Sequence, residues 1–134
     1  MADNLEVVKA MVAAAKSDMA VAARVSNRVY FGWAEDDVAM PFIVLYPVSP
    51  DGPVRCFASD ADFQEVTFQW SVFDRGPGVA VVEGIKSDLD LVFDRKTLSL
   101  DSKTFISCER TGGFGPEWDG TAWNRMVDYR IRFK

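Results

Sequence analysis

The hydrophobic positions change period along the chain, and each change predicts an element. Leu5, Val8, Met11, Val12 and Ala15 fall on one helical face with Glu6, Lys9 and Lys16 elsewhere. Asp3 followed by Glu6 has the spacing of a capping box, so a helix is predicted over about residues 4 to 16. Ser17 and Asp18 then offer caps for a shorter helical stretch through Met19, Val21, Ala22 and Val25, and RVYFGW, Arg28 to Trp33, reads as a short strand. The acidic EDD at Glu35 to Asp37 reads as a solvated loop. PFIVLYPV, Pro41 to Val48, is a continuous apolar run bounded by proline, the pattern of a strand covered on both faces. Pro47, which has no N–H to give a ladder, is expected to end that strand or lie on its edge.

A period of two returns in FQEVTFQWSVF. Val66, Phe68, Trp70 and Val72 share one face and Glu65, Thr67, Gln69 and Ser71 the other, which predicts a half-buried strand. DRGPG turns the chain, and Val81, Val82, Ile85, Leu89, Val92 and Phe93 then recur at helical spacing, interrupted by Gly84, a residue suited to close packing on a sheet. TLSL (Thr97 to Leu100) and TFISCER (Thr104 to Arg110) read as short strands. TGGFGPEWDGTAW, Thr111 to Trp123, reads as a glycine-rich loop. RMVDYRIRF reads as a last strand with Val127, Tyr129, Ile131 and Phe133 on one face.

Helix, strands, helix, strands is the order of an α+β domain. The expectation is a mostly antiparallel sheet of four to five strands with its helices packed on one face, all within a single domain over residues 1–134. There is no internal repeat.

Composition narrows the chemistry. The 20 acidic and 15 basic side chains leave a net charge of -5, which argues against a protein that grips nucleic acid by neutralising phosphates. No run of apolar residues is long enough for a membrane span, so a soluble protein made in the cytoplasm, without a membrane partner, is expected. Histidine is absent, and with it the commonest general base and zinc ligand. Cys56 and Cys108 form no metal spacing and are expected to be reduced. DRGPG lacks the lysine and hydroxyl of a phosphate-binding loop, which leaves a turn in which Asp74 and Arg75 pair or face a partner. The carboxylate clusters at Glu35 to Asp37, Asp60 to Asp62 and Asp88 to Asp90 stand in no catalytic or calcium-binding frame. Neither a catalytic residue nor a cofactor or metal site is predicted. Trp118 and Trp123 read either as aromatic anchors at an interface or as a loop folded over its own core. Arg110, Arg125, Arg130 and Arg132 read either as partners for a neighbouring subunit's acids or as decoration of a wet sheet face.

Taken in order, VVKAMVAAAKSDMAVAARVSNRVYFG, PFIVLYPVS, VTFQWSVFDR, IKSDLDLVF and VDYRIRF resemble the tail completion, or tail terminator, proteins of long-tailed bacteriophages, from about Leu5 to Phe133. That resemblance implies a structural virion protein, not an enzyme. It implies a small α+β subunit that closes into a homohexameric ring at the head-proximal end of the tail tube, with the tube protein and a head–tail connector as neighbours and DNA passing through the lumen without specific binding. A head-to-tail interface that closes makes such a ring, and a ring with two different faces caps a polymer without propagating it. The alternatives are another connector or tube subunit of the same particle, or a small cytoplasmic ligand-binding domain or enzyme. The candidate assembly residues are Asp51, Arg55 and Phe57 in the 49–62 segment, Arg75 at the turn, Arg110, and Phe114, Trp118 and Trp123 in the glycine-rich segment.

Overall fold

The computed structural model describes residues 2–35, 37–48, 52–54 and 63–134, with side chains from residues 5–35, 37–48 and 63–134. The elements run α1 (Ala2–Ser17), α2 (Met19–Val25), β1 (Val29–Phe31), β2 (Phe42–Pro47), β3 (Gly52–Val54), β4 (Phe63–Asp74), α3 (Ala80–Phe93), β5 (Phe105–Trp118) and β6 (Trp123–Phe133).

The strands form one sheet in the order β1-β2-β4-β6-β5. β3 pairs with Phe63 to Glu65 of β4, on the stretch next to the one that β2 occupies, so the sheet is five strand positions wide. All pairings are antiparallel except β1 with β2, which is parallel. The class is therefore α+β, as the order of periods implies, with one parallel pair at an edge. β4 and β5 run in the same direction with α3 between them in sequence, and β6 inserts between the two strands.

Alternation decides which sheet face is covered. Val66, Phe68, Trp70 and Val72 of β4 lie level with Ile131, Tyr129 and Val127 of β6 and with Leu45 and Ile43 of β2, and all of these are buried. Val7, Val8, Met11, Ala15, Val21, Val25, Val82, Ile85, Leu89 and Phe93 join them in one core, which puts the three helices on that face. The Phe93 ring lies 5.6 Å from both Trp70 and Tyr129 and ties α3 to the two central strands. Burying a side chain of this size stabilises the fold by roughly 1.5–3 kcal/mol.

Several local expectations change. α1 begins at Ala2, which places Asp3 inside the helix and not at its N-cap. Glu6 instead accepts from the Ser102 and Lys103 amides, both at 3.0 Å, and from the Ser102 hydroxyl at 2.6 Å, pinning α1 to the turn before β5. Asp18 does cap α2, accepting from the Val21 N–H at 3.1 Å. Residues 97–100 form no strand, although Leu98 is buried. Gly84 faces Arg24 rather than the sheet: a Cβ there would lie 2.7 Å from the Arg24 Cζ. The segment 111–118 is not a loop, because it pairs with β6 and extends β5 to Trp118.

Candidate assembly surface

With three helices on one face of the sheet, the other face has no helix over it among the described residues, and its side chains divide into two zones. Toward one end the rows are ionic. Arg132 donates to Glu65 at 2.7 Å and stands over the Phe63 ring, 5.6 Å from its centroid. Arg130 donates to Glu109 across the β5–β6 ladder. That bond holds the Glu109 carboxyl below the usual carboxylate range and raises the Arg130 guanidinium. These arginines are therefore paired within the protomer, because residues level with one another on neighbouring strands fall within ion-pair reach. Arg125, on the opposite face, is likewise paired within the protomer, donating to Glu83 of α3 at 2.9 Å.

Toward the other end the same face turns apolar and aromatic. Phe42 and Phe73, level across β2 and β4, stack with centroids 5.0 Å apart, and Tyr30 meets Phe42 edge-on at 6.2 Å. Trp33, 69% exposed, joins Phe42, Val44, Tyr46, Phe73 and Asn124 around an open depression of about 270 Å³. The Tyr46 hydroxyl accepts from the Gln69 amide at 2.6 Å and hydrogen-bonds with the Ser71 hydroxyl at 3.0 Å. Phe114, 58% exposed, pairs with Met126, which pairs in turn with Ser71, so it extends this zone to the far edge of the sheet. Between the zones lies Asp128, whose Oδ1 is buried without a hydrogen-bond partner, and burial raises its carboxyl. The second face of β2 gave this zone away in the sequence only as an unbroken apolar run. That run reads as a strand covered on both sides, but helices cover only one face of β2.

The candidates named from the sequence separate into three groups. Asp51, Arg55 and Phe57 lie outside the described residues, as does nearly all of the 49–62 segment. Phe114, Trp118 and Arg75 are exposed. Arg110 and Trp123 are largely committed inside the protomer. Arg110 pairs with Asp90 at 3.2 Å, and Trp123 packs on the core while meeting Trp118 edge-on at 5.6 Å. The two tryptophans thus differ, one ring folded over the core and the other half in solvent. Asp74 does not pair with Arg75 but accepts from the Gly76 N–H at 3.1 Å, which shapes the turn and leaves Arg75 exposed beside it. No cluster of three or more metal-ligating side chains occurs among the described residues.

The family model described as tail completion protein gp17 matches residues 9–134. No match is found among curated proteins. Among solved structures, a chain from the virion of a native gene transfer agent particle aligns with a TM-score of 0.76 at 15% identity, covering 93% of this chain and 92% of that chain. A likeness at that identity establishes the fold.

Proposed function

This chain belongs to the tail completion protein gp17 family, and from that premise we propose that it closes into a ring, hexameric as in the family it resembles, at the head-proximal end of a phage tail tube. It is a structural protein of a phage-type tail. In the proposed role the ring stops tube growth and offers the surface on which a head–tail connector seats, with DNA passing through an opening that an acidic chain lines without gripping. The match over residues 9–134 carries this reading. The geometry supports it in one respect: Trp33, Phe114 and Trp118 are large apolar side chains left exposed to water, and exposed aromatic clusters mark association surfaces. No catalysis is called upon.

Electron microscopy of particles made without this protein tests the proposal. Over-long or irregular tails detached from heads are the expected result, and normal joined virions would overturn it. Purified protein that forms single rings fits a terminator, whereas long tubes would make it a tube subunit.

A further inference from the structure

We infer that the β5 edge of the sheet is closed to strand addition, so that a neighbour does not continue the ladder from that side. An edge strand presents unpaired N–H and C=O groups, which are a template for another chain. The β5 edge is 14 residues long and carries the devices that blunt such a template.

Its register against β6 breaks in three places, which interrupts any continuous row of outward-facing groups. The chain leaving α3 then lies along the strand. The Arg95 N–H donates to the Cys108 carbonyl at 2.8 Å, and the Arg110 N–H donates to Asp94 Oδ1 at 3.0 Å. The Asp94 carboxylate stands where the carbonyl of an added strand would stand. Farther along, Pro116 offers no N–H, and Gly113 and Gly115 are pressed onto β6, where a Cβ would lie 2.6 Å and 2.7 Å from the Met126 and Asn124 carbonyl oxygens. These positions give an incoming strand no side chain to pack against. A subunit built this way presents no ladder to a neighbour along its β5 edge. The inference is independent of ring geometry and of which virion protein is the neighbour.

The test compares Asp94→Ala with Asp94→Asn, whose side-chain carbonyl still accepts, by sedimentation velocity over a range of concentrations and by hydrogen exchange at single amides. Wild type and D94N are expected to sediment alike and to protect the Arg110 amide before any assembly. D94A is expected to exchange that amide about tenfold faster, the equivalent of one net hydrogen bond, and to form concentration-dependent species in which β5 amides regain protection. D94A sedimenting as wild type at every concentration would overturn the inference. So would wild-type amides between 111 and 118 that become protected only on assembly, a measurement that does not depend on D94A folding.

Discussion

Tyr129, with no exposed surface, donates its hydroxyl proton to Asp90, joining the middle of the sheet to α3. Asp90 also takes Arg110 and Lys86, each at 3.2 Å, so one carboxylate gathers strand β6, strand β5 and its own helix. Burial and the Asp90 charge raise the Tyr129 hydroxyl far beyond its ordinary range and keep it a neutral donor. Tyr129→Phe is therefore expected to cost about 1.5 kcal/mol, the lower end for a hydrogen bond to a charged group, because Asp90 keeps two cationic partners. Urea denaturation monitored by tryptophan fluorescence measures it, and a change near zero would place the weight of the contact on the cations.

Asp128 sets a pH dependence of opposite sign to the other shifted carboxylates. Hydrogen bonds hold Glu6, Glu109 and Asp119 below their ordinary values. Their contribution is present above the unfolded values, 4.5 for Glu and 3.8 for Asp, and is lost as pH falls through the folded ones. Burial raises Asp128, so its charge costs stability above the folded value, and that cost vanishes below 3.8. Asp128→Asn is expected to raise the melting temperature at neutral pH and to match wild type in strong acid. Parallel melts from pH 7 down to 3 check this.

Two glycine substitutions are expected to differ in sign. In Gly84→Ala the three atoms nearest the new methyl all belong to the Arg24 guanidinium, the end of a flexible and 42% exposed side chain. The surface pair that Arg24 makes with Asp88 at 2.6 Å is worth at most about 1 kcal/mol. Helix propensity returns about 0.8–1 kcal/mol, so stability is expected to hold or rise slightly. Gly113→Ala drives a methyl against the Met126 carbonyl oxygen, which is backbone and has nowhere to move. A loss of about 1–3 kcal/mol, the scale of overpacking, is expected in the same denaturation assay.

Cys108 is 2% exposed, and burial together with the Asp94 and Glu109 charges pushes its thiol up to about 12. Alkylation at pH 8 should leave the peptide carrying Cys108 unmodified in native protein and label it once denaturant is added. Peptide mapping by mass spectrometry reads the result, and labelling of Cys108 at native rates equal to the unfolded rate would show that the β5 edge opens.

Trp33→Ser and Phe114→Ser remove apolar surface that faces water, so each is expected to leave the melting temperature within a few degrees of wild type. Each is also expected to lower the fraction of capped tubes seen by electron microscopy. Full capping with both changes together would move the assembly surface away from the open sheet face.

The strands and helices most legible in the sequence were those in which one period ran unbroken against a single environment. β4 alternates cleanly because one face meets helices and the other water, and α3 keeps its apolar stripe because only one side packs. The 111–118 half of β5 hid because Gly113 and Gly115 replace alternating side chains with direct contact on the β6 backbone, so no period was left to read. TLSL looked like a strand on alternation alone, yet one buried Leu98 satisfies that pattern without any ladder. The parallel pairing of β1 was invisible because it depends on where β2 lies. The arginine pairs were equally hidden: Glu65 and Arg132 are 67 residues apart, and only the register makes them neighbours.

β6, the last strand, lies between β4 and β5, so the order in which the chain is synthesised differs from the order in which the sheet must close. A nascent chain that has completed β5 still has a vacant slot at the centre of its sheet, and the aromatic contact from Phe93 to Tyr129 has no partner until β6 arrives. Closure of the sheet thereby waits for β6, and a chain cut short within that strand lacks an interior strand rather than a dispensable edge.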